Sequence, residues 1–187
     1  MEDSLLVHLA KEDKGAFGEL YERYINKIYN YVYYRTGNHH EAEDLTAKVF
    51  MRAMAHIARY DERGVPFSAW LYRIAHNLVA NWHRDRNRRK IIALDDFIGR
   101  DDQSNLPEDV AVMNEEHDRL WTSFQQLSEE RQQLLVLKYV ERLSNAEIGQ
   151  IMNRTEGAVK SLYYRTLAHL RDDLERDNAG QKRNLEL

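Results

Sequence analysis

Between Ser144 and Leu170 lies a run of side chains whose types and spacing suit contact with a nucleic-acid duplex. Ser144 and Glu147 have capping-box spacing and open a short helix that turns Ile148 and Ile151 inward. Met152-Asn153-Arg154-Thr155 then forms a tight break, because asparagine tolerates the left-handed backbone that such a turn often needs. Thr155 can cap a second, longer helix whose inward stripe is Val159, Leu162, Tyr163, Thr166 and Leu170. In a helix-turn-helix the second helix enters the major groove, so its polar N-terminal side chains meet base edges. Here these are Thr155, Glu156, Lys160, Ser161, Tyr164 and Arg165. An ordinary helical hairpin has the same periodicity, so this pattern alone does not decide the matter.

A second group mixes aromatic and cationic side chains: Tyr60, Phe67, Trp70, Tyr72, Arg73, Asn77, Trp82, Arg84, Arg86, Arg88 and Arg89. Aromatics stack on unpaired bases and arginines hold phosphates, a combination suited to single-stranded or melting DNA. Packing is the better account of Phe67 and Trp70, which lie on or beside an apolar stripe. The cationic residues carry the information, although the run Arg84 to Lys90 would also suit the negative end of a helix dipole.

The elements that must position these groups read as helices throughout. Phe17, Leu20, Tyr21, Tyr24, Ile25, Ile28, Tyr31 and Val32 recur at helical spacing, and Thr36-Gly37-Asn38 ends their helix. Ala42, Leu45, Val49, Phe50, Ala53 and Ile57 mark a second helix, which stops at the loop from Asp61 to Pro66. Phe67, Leu71, Ile74, Ala75 and Leu78 mark a third. From Ile91 to Asp109 periodicity is lost, and Asp95, Asp96, Asp101, Asp102, Asn105 and Pro107 give a polar, acidic linker. Beyond it a helix is expected over Val110 to Phe124. Another opens at Ser128, a residue able to cap it, with Leu134, Leu135, Leu137 and Tyr139 as apolar contacts. The tail after Asp177 lacks periodicity and is expected to fray.

Composition supports this reading. With 187 residues, 43% hydrophobic, 31% charged and only two prolines, the chain can form two small all-α domains or one larger helical bundle, and the acidic stretch favours the first. The absence of cysteine excludes disulfides, thiolate catalysis and cysteine-ligated zinc, and fits a reducing cytoplasm. No apolar run approaches the roughly 18 residues of a membrane span, and the acidic start is unlike a signal peptide, so a soluble, unexported, cytoplasmic protein is expected. The net charge of −4 argues against a chain-wide nucleic-acid coat, but the positive charge is concentrated locally.

Two motif sets carry a family resemblance. Glu41-Ala42-Glu43-Asp44-Leu45 with Val49-Phe50, followed by Phe67-Ser68-Ala69-Trp70-Leu71-Tyr72-Arg73-Ile74-Ala75-His76-Asn77, resembles region two of the extracytoplasmic-function, or group IV, RNA polymerase sigma factors. Leu127 to Arg131, Leu143-Ser144 through Glu147-Ile148, and Gly157-Ala158-Val159-Lys160-Ser161 resemble region four. The resemblance implies region two over 1–91, a linker over 92–108, and region four with a C-terminal tail over 109–187. It implies promoter recognition, promoter opening and transcription initiation, in a stress or envelope response, with no catalysis and no cofactor. Asp44 and Lys48 would bind core RNA polymerase. Tyr60, Asp61, Arg73, Asn77, Arg84 and Arg88 would hold the opened minus-ten element. Thr155, Glu156, Lys160, Ser161 and Arg165 would read the minus-thirty-five element as duplex.

The implied partners are core RNA polymerase, promoter DNA and an anti-sigma factor; no stable homo-oligomer is indicated. The chain departs from the family at Ala47 and Lys48, where a glutamine and an acidic residue are usual. It departs again at Leu162, usually arginine, and at Arg154, usually aliphatic. A rival reading is a helix-turn-helix regulator with an N-terminal sensing domain, which would need an enclosed apolar pocket. A metal-dependent enzyme built on His39, His40, Glu43 and Asp44 is more distant, since no remote third ligand is apparent.

Overall fold

The computed structural model describes residues 3–61, 65–94 and 120–185, with side chains described over 3–61, 65–86 and 120–176. All regular structure among these residues is helical. In chain order the helices are α1 (Asp3–Ala10), α2 (Lys14–Thr36), α3 (His39–His56), a 3-10 turn (Ile57–Arg59) and α4 (Phe67–Leu94). Then come α5 (120–126), α6 (Glu129–Leu135) with its wider-turned continuation Val136–Val140, α7 (Asn145–Met152) and α8 (Glu156–Leu185).

Helices α2, α3 and α4 form the N-terminal bundle. Tyr24, Ile28, Tyr31 and Val32 of α2 meet Leu45, Val49 and Phe50 of α3 and Phe67, Leu71, Ala75 and Val79 of α4 in one buried cluster. The α2–α3 turn is set locally. Gly37 takes the left-handed conformation at φ 64° and bonds back to the Tyr33 carbonyl, and the Asn38 side chain accepts from the Glu41 amide at 3.0 Å. Helix α1, which periodicity does not mark, is fastened by Asp3 to Arg23 and to the Tyr24 hydroxyl. That bond adds to burial in raising the Tyr24 pKa far above its ordinary value.

The C-terminal half packs Leu134 and Leu137 against Ile148, Ile151, Val159 and Leu162. Gly149 makes the bend between α7 and α8 possible, because a Cβ there would stand 2.6 Å from the Arg154 carbonyl oxygen. Asn153 supplies the left-handed residue at φ 55°. The Ser144–Glu147 capping box forms in full, and the Thr155 hydroxyl accepts from the Ala158 amide at 3.2 Å.

Four local expectations change. Ser128 stands at the start of α6 but its side chain makes no capping bond; the buried Gln132 amide instead donates to the carbonyls of Phe124, Gln125 and Leu127, closing the end of α5. Tyr139 is exposed, with its hydroxyl 2.7 Å from that of Tyr163. Helix α8 continues to Leu185, past the point where apolar spacing stops. Helix α4 likewise passes residue 91 and ends at Leu94. The acidic linker beyond it, and the helix start expected at Val110, lie outside the described residues.

The two halves touch. Trp121 of α5 lies against Gly37, α7 packs on α4, and the Val136–Val140 segment packs on α2.

Candidate nucleic-acid interfaces

Arg73, Asn77, Arg84 and Arg88 fall at i, i+4, i+11 and i+15 of one helix. At 3.6 residues per turn these positions lie within an arc of about 60° and run about 22 Å along α4. Asn77 and Arg84 are exposed, and Arg84 donates to the Asn81 side-chain oxygen at 2.5 Å. The Arg88 backbone is helical, but its side chain lies outside the described residues. Arg73 is half-buried, with its guanidinium donating to the backbone oxygens of Ile151 and Gln150 at 3.2 and 2.5 Å.

At the N-terminal end of this stripe an aromatic box forms. The Tyr60 ring is 4.8 Å from Trp70 and 5.8 Å from Phe67, and its hydroxyl donates to the Val65 carbonyl at 2.5 Å. Tyr60 is only 7% exposed. Its ring is therefore packed against α4 rather than presented to solvent, while the neighbouring Asp61 is exposed. Trp82 and Arg86 also move out of the expected base-contacting group. Nine and thirteen residues after Arg73, they lie on the far side of α4, where Arg86 covers the Trp82 ring at 5.1 Å. They line an open groove of about 580 Å³ with Lys48 and Arg52 of α3. Asp44 and Lys48, one turn apart, are both exposed on α3.

The second surface is on α8. Glu156, Lys160, Ser161, Tyr164 and Arg165 span its exposed side, opposite buried Val159, Leu162 and Thr166. Lys160 pairs with Glu156 at 3.3 Å, and Arg165 Nε donates to the Ser161 carbonyl at 3.2 Å. Arg154, in the turn, pairs with Glu130 of α6. This is a polar N-terminal turn on a braced helix, the form that fits a major groove.

The Sigma-70 region 2 family matches residues 20–89, and the Sigma-70, region 4 family matches 117–170. The sigma factor SigW of Bacillus subtilis is 34% identical over 88% of this chain and 91% of its own length. The chain belongs to the extracytoplasmic-function RNA polymerase sigma factors. It is thus a promoter-directed initiation factor with two sigma domains. BldN of Streptomyces coelicolor is 35% identical over 86% of this chain, which spans 62% of that longer relative. Among solved structures, CnrH in complex with the cytosolic domain of CnrY matches 94% of this chain and 98% of that one, at TM-score 0.69 and 20% identity, a likeness of fold.

Two features of this sigma factor had no clear signal in its sequence. Glu141 is half-buried and accepts from the Tyr72 hydroxyl of the N-terminal half at 2.7 Å. Burial raises its pKa above the ordinary carboxylate value. Arg35 is fully buried, and its Nε and Nη2 have no hydrogen-bond partner. Spacing placed Arg35 on a helix but does not account for its burial, within which its Nη1 donates to the Tyr31 hydroxyl at 3.3 Å. Among the described residues no cluster of three metal-ligating groups occurs, and no helix is long and apolar enough to cross a membrane.

Proposed function

We propose that the two surfaces of this sigma factor read different states of one promoter: the α4 stripe captures opened minus-ten DNA, and the start of α8 reads the minus-thirty-five element as duplex. The observation that carries this reading is the alignment of Arg73, Asn77, Arg84 and Arg88 along one helix edge. Guanidinium groups spaced along about 22 Å can follow a strand's phosphates while Asn77 bonds an unpaired base edge. Asp61 is exposed in the segment that leads to α4, and the neighbouring Tyr60 is buried with its hydroxyl on the Val65 carbonyl. Thr155 caps α8, while Glu156, Lys160, Ser161 and Arg165 supply its groove-facing groups.

Core RNA polymerase would dock on α3 through Asp44 and Lys48. Lys48 stands beside Arg52 and Arg86, which makes this docking surface more basic than the usual acidic residue would. The division into 1–91, 92–108 and 109–187 belongs to the same proposal, as do a cytoplasmic location, a role in a stress or envelope response, and an anti-sigma partner. CnrH and the sigma factor RpoE of Bartonella quintana were each solved with a bound protein, the latter with the anti-sigma factor NepR.

The decisive experiment uses holoenzyme formed with core polymerase, on a normal promoter and on one with a pre-opened downstream element. Asn77→Ala should impair opening and still weaken capture of the pre-opened strand. Lys160→Ala should chiefly reduce recruitment to the upstream element. Identical defects at both steps would overturn the division of labour.

A further inference from the structure

Among the described residues three take the left-handed backbone conformation: Gly37, Asn153 and Arg142. Glycine and asparagine are the residue types that this conformation admits at least cost, and here both stop a helix. Arginine has no such tolerance. At φ 55° the Arg142 Cβ is pressed toward the following carbonyl, so its backbone is strained.

The turn imposes that strain. The Leu143 amide donates to the Leu137 carbonyl at 3.0 Å and closes the continuation of α6. The Lys138 ammonium donates to the Asn145 side-chain oxygen at 3.0 Å, and Ser144 caps α7. The chain must reverse at residue 142 for these bonds to form together, and glycine would reverse it with less strain.

Nothing inside the molecule accounts for an arginine there. Its side chain is exposed and has no hydrogen-bond or ion-pair partner among the described residues. The carboxylates near it in the chain are engaged elsewhere, Glu141 with Tyr72 and Glu147 in the capping box. A side chain that strains the backbone and adds no contact to the fold is explained by what it meets outside.

The position of the turn indicates what that is. Tyr139, three residues before Arg142, places its hydroxyl 2.7 Å from that of Tyr163 on α8. Glu156, Lys160 and Tyr163 fall at i, i+4 and i+7, along one stripe of that helix. The turn therefore flanks α8 on the side of Lys160 rather than that of Ser161 and Arg165. A helix lying in a major groove about 12 Å wide has a phosphate backbone on each flank.

We propose that Arg142 is a phosphate clamp for the duplex that α8 reads, holding a backbone phosphate on the Lys160 flank of the groove. A guanidinium can bond two phosphate oxygens at once, and such a contact fixes register without reading sequence. The inference rests on the assignment of α8 to the minus-thirty-five duplex.

The test uses holoenzyme formed with core polymerase, on a promoter duplex from which the wild type initiates, with urea unfolding of each free chain. Arg142→Gly should raise the urea midpoint, because glycine relieves the left-handed strain. The same variant should bind the duplex about fivefold more weakly, with the slope of log affinity against log salt lowered by about one. A chain that is more stable and yet binds less tightly separates a lost contact from a damaged fold. Arg142→Lys keeps the charge, so it should keep the slope while losing part of the affinity. Neutral methylphosphonates placed one at a time along the duplex locate the contact: at one flanking position the wild type should lose affinity and Arg142→Gly should not.

The clamp is overturned if Arg142→Gly keeps wild-type affinity and salt slope, or if no methylphosphonate position distinguishes it from the wild type. It is also overturned if Arg142→Gly lowers the urea midpoint, which would make Arg142 a residue of the fold. Lys160→Ala separates the two proposals. If it and Arg142→Gly both leave duplex binding unchanged, the assignment of α8 fails; if Lys160→Ala alone weakens binding, only the clamp fails.

Discussion

Helices α4 and α8 both carry the polar side chains proposed to meet DNA, yet they are supported in opposite ways. Helix α8 is braced from within its own half: Val159, Leu162 and Thr166 are buried beneath it, while Thr155 and the Gly149 bend fix where it starts. Its outer face is left exposed. Helix α4 is braced on one side by its own bundle and on another by the opposite half, so its Arg73 guanidinium is bonded to α7 carbonyls. A duplex reader that is always presented needs only local support.

The sharpest way to break this comparison is at Gly149. An added methyl would collide with backbone rather than with a flexible side chain, so Gly149→Ala should cost about 2 kcal/mol as the turn shifts to make room. Urea unfolding would measure the loss. Upstream duplex binding should fall with it, whereas holoenzyme capture of a pre-opened downstream strand should be largely kept. Equal loss of both would mean that α8 and α4 are not independently supported.

Charge removal on α8 gives a smaller effect of a different kind. Lys160→Ala and Arg165→Ala should each weaken duplex binding and lower the slope of log affinity against log salt by about one where a phosphate contact is lost. The Lys160–Glu156 pair is exposed, so its loss should scarcely alter stability. An unchanged salt slope in both variants would remove these residues from the duplex interface.

Smaller again is the cap of α7. Ser144→Ala removes the hydroxyl that accepts from the Glu147 amide, leaving the Glu147 carboxylate bonded to the Ser144 backbone amide. The expected cost is about 1 kcal/mol, read as a lower urea midpoint. No change would show that the Glu147 half of the box suffices.

These local devices were legible because they depend on near neighbours. Ser144 with Glu147, Asn153 in its turn and Gly37 after α2 each express a spacing rule, and the structure places all of them as that rule requires. Apolar periodicity found α2, α3 and the α7–α8 pair for the same reason. What it could not reveal depends on partners distant in sequence. Tyr60 reads as an available ring until Phe67 and Trp70 enclose it. Trp82 and Arg86 join the basic group by composition but turn toward α3, and Glu141 acquires meaning only beside Tyr72. The α4 stripe itself was implicit in the numbering of Arg73, Asn77, Arg84 and Arg88, whereas the covering of Arg73 by α7 was not.

The smallest expected effect is pH dependence at the seam between the halves. Burial is the first cause that holds His76 and His83 below the ordinary histidine pKa, and the Arg35 cation adds to it; Glu129 opposes both shifts and Arg86 reinforces that of His83. The unfolded chain therefore takes up these protons first as pH falls below 6.5. Stability present above that value is lost through the window down to the folded pKa values. Glu141 has the opposite sign. Its carboxyl is raised by burial from 4.5, so in the folded chain it holds its proton to higher pH and favours the folded state on the acid side. Wild-type urea midpoints should consequently fall as pH drops below 6.5, with Glu141 returning stability as pH falls further toward 4.5. His76→Gln with His83→Gln should flatten the profile, and Glu141→Gln should steepen it. A steep profile that persists without both histidines would place the titrating groups away from the seam, leaving α4 no more pH-sensitive in its support than α8.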